Sequence, residues 1–275
     1  MIRIFNYIDR RSPIHSLTGA SKFAVLILWS IAAMTTFCTP FLVFLTVLGP
    51  ILFRVSKIRI REVKTMLILT IAIMLLNNLL IYLFSPEQGV AIYGSRDLLF
   101  TIAGRYTVTK QQLLYHANVI LKYTGTIPMI LLFVATTNPS EFAASLNRLG
   151  VSYKISYAVS LAMRYIPDTQ NEYHDISLSQ QARGVEMSKK ENLFKRIAAA
   201  ASIILPLILS SMDRIDVIAN AMELRGFGKN RKRTWYMGRK FTAADIACIL
   251  FGVMLLVFTI LYAAVNKSRF WNPFT

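Results

Sequence analysis

The chain has 275 residues, of which 55% are hydrophobic, and its mean hydropathy is +0.47. A soluble domain of this length cannot bury that much apolar surface, so the composition excludes an ordinary soluble protein. In a soluble chain the net charge of +17 would suggest a nucleic-acid partner. Here the basic residues lie between long uncharged runs, which is typical of the cytoplasmic side of a membrane protein and argues against nucleic acid.

The first apolar segment, from Phe23 to Phe53, contains no charged residue. A membrane-spanning helix needs about 20 apolar residues, so this run is long for one span and short for two. The Thr39-Pro40 pair lies near its middle. We therefore predict a tight hairpin of two short spans, at about 23–38 and 40–54. One long helix kinked at the proline is the alternative.

A strongly basic loop follows, RVSKIRIREVK, with five lysines and arginines between Arg54 and Lys64. Cytoplasmic loops carry such an excess of positive charge. The N-terminal segment MIRIFNYIDRRSPIH is basic too, and it lacks the cleavage site of a signal peptide. An even number of spans would place both segments on the cytoplasmic side, which favours the hairpin.

The third span is predicted at about 66–84. Asn77-Asn78 lies at its mid-depth, where an amide more often joins neighbouring helices than contacts a substrate. Residues 85–112 are mixed in charge and rich in turn residues, which predicts an external loop. The fourth span is predicted at about 113–135, and we expect Lys122, near its outer end, to extend its ammonium group to the lipid headgroups.

The stretch from about Thr137 to Lys240 carries 16 of the 31 lysines and arginines. It is cytoplasmic if the first basic loop is. A last span, at about 242–265, then carries the chain outward. The sequence thus predicts an all-α membrane protein with five spans, a cytoplasmic N-terminus and an external C-terminus. Its expected parts are a membrane domain (1–136), a cytoplasmic helical domain (137–240), and a last span with a short tail (241–275).

Three amphipathic helices are predicted in the cytoplasmic block. NPSEFAASLNRLG carries the signals that start and end a short helix. A longer helix runs from about Ser152 to Arg183, with a kink or restart expected at Pro167. Another runs from about Asn192 to Arg225. Its first half is almost wholly apolar but, at about 16 residues, is shorter than a comfortable span.

Each long helix ends in an Arg-Gly pair, in SLSQQARGVEM and in NAMELRGFGKN. A glycine suits the left-handed end of a helix, and an arginine there interacts favourably with the helix dipole by about 0.3–1 kcal/mol, so local capping alone is one explanation. Two copies favour a second explanation. A guanidinium at a capped tip has five fixed donors that suit a cleft lined by carboxylates or carbonyls, and two tips suit a dimeric partner.

These segments resemble the transmembrane (T) component of energy-coupling factor transporters, which take up vitamins and transition-metal ions in prokaryotes. The resemblance includes DRRSPIHSLTGASKF, the coupling region from TTNPSEF to QQARG with its RYIP, and AMELRGFG. The family signature is Ala-Arg-Gly at the tip of each of two coupling helices. Ala182, Arg183 and Gly184 fit it in full. The second copy departs from it, because Leu224 stands in place of alanine before Arg225 and Gly226.

The resemblance implies a complex in the prokaryotic cell membrane. Two cytoplasmic ATPase subunits would bind one tip each, and a small membrane protein, the substrate-binding component, would capture the vitamin or metal ion. The present chain would bind no cofactor, since ATP would be bound by the partners. The apolar half of the last cytoplasmic helix needs an apolar partner, and we expect that face to meet the substrate-binding component or the membrane surface. Packing against the other coupling helix is the alternative. The residues of this face that we expect to make the contact are Ile197, Ile204, Leu205 and Ile208.

Other functions are less well supported by the residues. The chain has no glycine-rich phosphate loop followed by Lys-Ser or Lys-Thr. His15, His116 and His174 do not lie at metal-binding spacing, and we expect all three at the surface or the membrane interface. Cys38 and Cys248 give neither a disulfide framework nor a metal site and are expected to be buried. An intramembrane enzyme or a self-contained permease remains the alternative.

Overall fold

The computed structural model describes residues 10, 12–103, 106–185, 193–230, 235, 239–266 and 268–273. In this part of the chain the elements are almost all helices, which confirms the all-α prediction. They are α1 (Pro13–Ser16), α2 (Gly19–Thr35), α3 (Thr39–Val55), α4 (Ile60–Phe84), α5 (Gln88–Tyr93), β1 (Leu98–Ala103), β2 (Tyr106–Thr109), α6 (Lys110–Thr136), α7 (Pro139–Arg148), α8 (Tyr153–Ala182), α9 (Leu193–Leu224) and α10 (Ala243–Val265).

Four of the described helices are long and apolar enough to cross a membrane: α4, α6, α10 and the Ile197–Leu224 part of α9. The first apolar run forms two separate 17-residue helices, α2 and α3, so the predicted hairpin of two helices is confirmed and the single kinked helix is wrong. Both are apolar but shorter than the four helices named above. Pro40 lies in the first turn of α3, where its missing N–H is not needed. Each helix is about 25 Å long, slightly less than the hydrocarbon core.

The chain divides into two compact units, residues 1–138 with 239–275, and residues 139–238. The first unit is built around α6, which packs against α2, α3, α4 and α5, while α10 packs against α2. Trp29 of α2 is fully buried and its Nε1 donates to the Gly125 carbonyl of α6 at 3.1 Å. Glycines let the helices approach closely, since a side chain at Gly252 of α10 would lie 3.1 Å from Leu28 Cδ1.

Lys122 does not extend to the headgroups, so that prediction is wrong. Its side chain is buried, and Nζ donates to the Met34 carbonyl at 2.8 Å and lies 3.3 Å from the centre of the Phe37 ring. Met34 is in the last turn of α2, where the carbonyl groups have no partner within the helix. The ammonium group therefore donates a hydrogen bond to a carbonyl group at the end of α2 and also makes a cation–π contact with Phe37.

One of the three histidines is less exposed than predicted. His15 is buried and bonded to Ser12 Oγ at 2.7 Å. His116 of α6 is part-buried, with its ring nitrogens 3.0 Å from Asn78 Oδ1 of α4 and 3.0 Å from Gln112 Nε2. The Asn78 contact joins α4 to α6, which confirms the interhelical role expected for this amide. His174 is exposed, as predicted.

The loop between α4 and α6 is more ordered than the sequence suggested. It contains the short helix α5 and a two-stranded antiparallel sheet, β1–β2, neither of which was predicted. Gln112 Oε1 accepts from the Gly89 backbone at 2.6 Å and Gln111 Oε1 accepts from the Asp97 backbone at 3.0 Å. The first turn of α6 thus organises the loop through two buried amides that local patterns do not reveal.

The second unit contains α7, α8 and α9, at nearly the predicted bounds. The short helix α7 packs against α8, burying Ala143 and Ala144. The helix α8 runs through Pro167 without interruption, so the restart considered for that position is not observed. The helices α8 and α9 are antiparallel, because Gln180 Nε2, near the end of α8, donates to the Ser202 carbonyl at 3.1 Å, while the ring of Phe227, beyond α9, lies against Tyr157 at the start of α8.

Candidate functional site

The first Arg-Gly tip closes α8 with a pair of specific backbone bonds. The Gly184 N–H donates to the Gln181 carbonyl at 3.0 Å, and the Val185 N–H donates to the Gln180 carbonyl at 3.0 Å. Gly184 has a φ of +86°, which an L-residue adopts only with strain. This is a Schellman cap, and Arg183 is the residue directly before its left-handed glycine.

The second tip closes α9 in the same way. The Gly226 N–H donates to the Glu223 carbonyl at 2.8 Å, the Phe227 N–H donates to the Met222 carbonyl at 2.9 Å, and Gly226 has a φ of +65°. Phe227 packs with its ring centre 5.5 Å from Tyr153 and 4.8 Å from Tyr157. The two Arg-Gly pairs therefore share one backbone geometry, although the residues before them differ.

Both tips are open to solvent within this chain. Ala182, Arg183 and Gly184 are exposed, as are Leu224 and Arg225, while Gly226 is half-buried. Leu224 is 89% exposed, the highest value given for a large apolar side chain among the described residues. An apolar side chain so exposed beside an arginine is typical of a surface that contacts another protein.

The antiparallel arrangement places the two tips at opposite ends of the α8–α9 pair. Arg183 follows the end of α8, whereas Phe227 and the Arg225 tip lie beside the beginning of α8. A helix of 30 residues is about 45 Å long, so the tips are separated by roughly that distance. The arrangement can engage two similar clefts at once, but it does not bring the two guanidinium groups into one site.

A cluster of polar side chains joins α8 to α9 near the middle of both helices. Arg214 of α9 lies 2.7 Å from Glu172 Oε2 of α8, and Ser210 donates to Glu172 Oε1. The Ser210 hydroxyl and then the Arg214 guanidinium lower the pKa of Glu172 below its ordinary value. The carboxylate therefore stays ionised at neutral pH, and it bonds to α9 through both of its oxygens.

The predicted apolar face of α9 is exposed in this chain. Ile203 and Ala199 are buried and form the face that packs inside the unit. The four side chains named from the sequence lie elsewhere on the helix, at exposed fractions near one half to two thirds: Ile197 67%, Ile204 48%, Leu205 63% and Ile208 50%.

The sequence model of the CbiQ family, described as cobalt transport protein, matches residues 10–236. The chain belongs to the CbiQ family. The match includes both Arg-Gly tips, the α7–α9 unit and the segment before α2.

Three relatives of this CbiQ-family chain align with nearly its whole length. The energy-coupling factor transporter transmembrane protein EcfT of Staphylococcus aureus (strain 04-02981) is 26% identical over 274 residues, 95% of this chain and 98% of that protein. EcfT of Exiguobacterium sibiricum is 26% identical, covering 91% and 92%. EcfT of Heliobacterium modesticaldum is 28% identical, covering 93% and 96%. The chain is an EcfT/CbiQ-type transmembrane component, a multi-pass membrane protein and a non-catalytic transport subunit.

This CbiQ-family chain also contains a buried carboxylate that the sequence analysis missed. Asp245, in the first turn of α10, accepts five hydrogen bonds, from the backbone and hydroxyl of Thr18, the hydroxyl of Ser21, and the backbone and hydroxyl of Thr242, at 2.6 to 3.0 Å. It thereby joins the beginnings of α2 and α10. Thr242 and Asp245 form a capping box, a spacing that was visible in the sequence.

In the part of the CbiQ-family chain that the structure describes, no group of three or more His, Cys, Asp or Glu side chains could hold a metal ion. Cys38 is buried, Cys248 is half-buried, and both are free thiols.

Proposed function

We propose that this chain transmits ATP-driven motion from two cytoplasmic ATPase subunits to a membrane-embedded substrate-binding component. The cargo would be a vitamin or a transition-metal ion. Residues 137–240 form the cytoplasmic coupling domain in this proposal, and the remaining segments form the membrane domain. The N-terminus is cytoplasmic and the C-terminus external.

The observation that carries the proposal is the repetition of one tip at both ends of the α8–α9 pair. Each tip has a Schellman cap, a glycine at positive φ and an exposed arginine. A rigid cap fixes the direction of the guanidinium, and its planar donors match a cleft of carboxylates or carbonyls. Two such tips about 45 Å apart suit a partner with two equivalent clefts, such as an ATPase dimer.

The exposed face of α9 supports a second contact. Ile197 and Leu205 are 67% and 63% exposed on a helix whose opposite face is packed. Leaving an apolar surface of this kind in water is unfavourable, so another apolar surface is expected to cover it. We assign this face, which includes Ile204 and Ile208, to the substrate-binding component.

The chain itself supplies the mechanical connection rather than the chemistry. It lacks a glycine-rich loop with Lys-Ser or Lys-Thr, so ATP is assigned to the partner subunits and no cofactor to this chain. Glu172, bonded to Ser210 and Arg214, holds α8 and α9 together at mid-length. A force applied at one tip can then be carried along a cross-linked pair of helices.

Charge reversal at the tips tests the assignment. Arg183→Glu and Arg225→Glu each remove an arginine anchor, for which roughly 2–4 kcal/mol of binding free energy is typical, so capture of the ATPase subunits should fall at least tenfold. The measurement is co-purification of ATPase subunits from native membranes, identified by mass spectrometry, with phosphate release from ATP in the eluate. The variants should still insert in the membrane.

Three further variants separate an effect of the Arg-Gly tip from an effect of net charge alone. Arg148→Glu makes the same charge change at an exposed arginine near the end of α7, without an adjacent glycine, and should leave capture unchanged. Gly184→Ala keeps the arginine but strains a φ of +86° by about 1–2 kcal/mol, so it should weaken capture. Leu224→Ala restores the family alanine and should have little effect. Normal capture by the Arg183→Glu/Arg225→Glu double variant would contradict the proposal.

A further inference from the structure

In the β1–β2 sheet, threonines of β2 are buried while apolar side chains at the start of β1 are exposed. On β2, Thr107 and Thr109 are buried, and Thr107 Oγ1 donates to Glu87 Oε1 at 3.2 Å. The apolar residues at the start of β1 are about half exposed: Leu98 54%, Leu99 48% and Phe100 56%. A hairpin on a protein surface in water has the opposite pattern, whereas polar-in and apolar-out is typical of strands that face lipid.

The hairpin is attached to the last turn of α4. Tyr82 Oη donates to the Thr107 carbonyl at 3.4 Å, and Tyr106 Oη donates to the Leu83 carbonyl at 3.5 Å. The Tyr82 and Tyr106 ring centres are 6.1 Å apart. Because β2 leads directly into α6, the sheet is held at the depth where α4 ends and α6 begins.

That depth corresponds to the edge of the hydrocarbon core. The stretch Thr65–Phe84 of α4 contains no charged residue, and its length of about 30 Å equals the core thickness. Phe84 at its end is 71% exposed. The ion pair of Arg96 with Glu87, at 2.6 Å, lies in the loop just before β1. Tyrosines such as Tyr82 and Tyr106 are typical of this boundary, where one end of the side chain is apolar and the other is wet.

We propose that the exposed apolar side chains at the start of β1, Leu98, Leu99 and Phe100, are inserted into the headgroup–acyl boundary of the leaflet at this end of the spans. They continue the lipid-facing surface of α4, whose apolar side chains are exposed up to Phe84. The hairpin is a membrane-interfacial anchor that fixes the depth of α4 and α6. The inference depends only on the chain crossing the membrane, so it holds or fails independently of the coupling role.

Spin-label accessibility tests this placement. In a Cys38→Ala/Cys248→Ala background, nitroxides are attached at Leu99→Cys and Phe100→Cys, with Lys110→Cys as the matched control. Lys110 is exposed and follows directly after β2. The full chain is reconstituted in vesicles of phosphatidylcholine and phosphatidylglycerol. The ratio of oxygen accessibility to nickel-chelate accessibility should be several-fold higher at 99 and 100 than at 110.

Two results would overturn the proposal. One is a nickel-chelate accessibility at 99 and 100 equal to that at 110, which would place the face in water. The other is shielding from both reagents only after partner proteins are added, which would make the face a protein interface. If the cysteine-free background does not fold, the unsubstituted chain can be labelled with a lipid-soluble diazirine. Carbene insertion is then expected in the peptide containing 98–100, and its absence would also refute the proposal.

Discussion

Lys122 illustrates how a single charged residue is accommodated between apolar helices. Its buried ammonium group donates to the Met34 carbonyl and lies over the Phe37 ring. A charge in such a place is costly unless it is paired or bonded, and the open end of α2 supplies the acceptor. The same argument applies to Asn78, whose amide oxygen meets His116 across the α4–α6 contact. In both cases a neighbouring helix determines what the side chain does.

Glu172 gives a pH-dependent prediction at this scale. Its pKa is lowered from the ordinary value of 4.5, first by the Ser210 hydroxyl and also by Arg214. A carboxylate with a lowered folded-state pKa stabilises the protein above its unfolded-state pKa, and this contribution is lost as the pH falls through the folded-state pKa. The melting temperature of Glu172→Gln should therefore be lower than that of the wild type near neutral pH, and the difference should shrink as the pH falls below 4.5.

The control for this prediction is Glu223→Gln, which makes the same change at an exposed position of α9. Thermal unfolding of the purified chain, followed across a pH series, measures both variants. If the difference in melting temperature between the wild type and Glu172→Gln stays constant through the acid range, the charge of the carboxylate is not its cause.

At the scale of the helices, the end of α6 and the beginning of α10 are both bonded to the beginning of α2 within the first unit. The chain leaves the first unit after α6, where Lys22 Nζ donates to the Thr136 carbonyl at 2.9 Å. It returns before α10, where Asp245 bonds to Thr18 and Ser21. Since Asp245 also faces two helix N-termini, its negative charge is favourably placed against both dipoles. The first turn of α2 is therefore a common attachment point for α6 and α10.

Asp245→Asn should destabilise the membrane unit. The amide cannot accept all five hydrogen bonds, and a buried donor left without an acceptor costs about 1–3 kcal/mol, so a loss of roughly 2–4 kcal/mol is expected. Asp168→Asn, at an exposed position of α8, is the matched control and should change little. Thermal unfolding in detergent measures both, and a shift for Asp245→Asn no larger than that of the control would contradict the role assigned to the carboxylate.

At the scale of the whole molecule, the distribution of charge determines the expected orientation. The basic residues concentrate in the loop between α3 and α4 and in residues 137–240, whereas the loop containing β1 and β2 is mixed in charge. Translocation disfavours lysine- and arginine-rich segments, so the two basic segments are expected on the cytoplasmic side. The proposed coupling role requires this orientation, because the ATPase subunits in that proposal are cytoplasmic.

Labelling of intact cells with a membrane-impermeant maleimide measures the orientation. Arg61→Cys and Lys229→Cys, both exposed, should react only after the cells are made permeable. Asp97→Cys, exposed in the loop before β1, should react in intact cells. The unsubstituted chain, with Cys38 and Cys248, provides the background. Reaction of Lys229→Cys in intact cells would place the tips on the wrong side for any ATPase partner.

The sequence by itself determined the long helices, the short helix α7 and the two Arg-Gly tips. Apolar runs, prolines and closing glycines are local signals, and they placed α7 to α10 within a few residues of their observed ends, because helix capping depends on residues a few positions apart. The Arg-Gly pairs were visible for the same reason. The bonds at Gly184 and Gly226 are made with carbonyl groups in the preceding turn.

Only the tertiary structure decided which polar groups meet and which apolar faces stay exposed. Asp245 bonds to Thr18 across 227 positions of sequence, and Lys122 bonds to Met34 across 88. No local pattern encodes such pairs, because each depends on how whole helices pack. The same holds for α9, where Ile203 is buried and Leu205 is exposed although both are equally apolar. Burial depends on the neighbouring helix rather than on the residue, and that neighbour is fixed only when the chain folds.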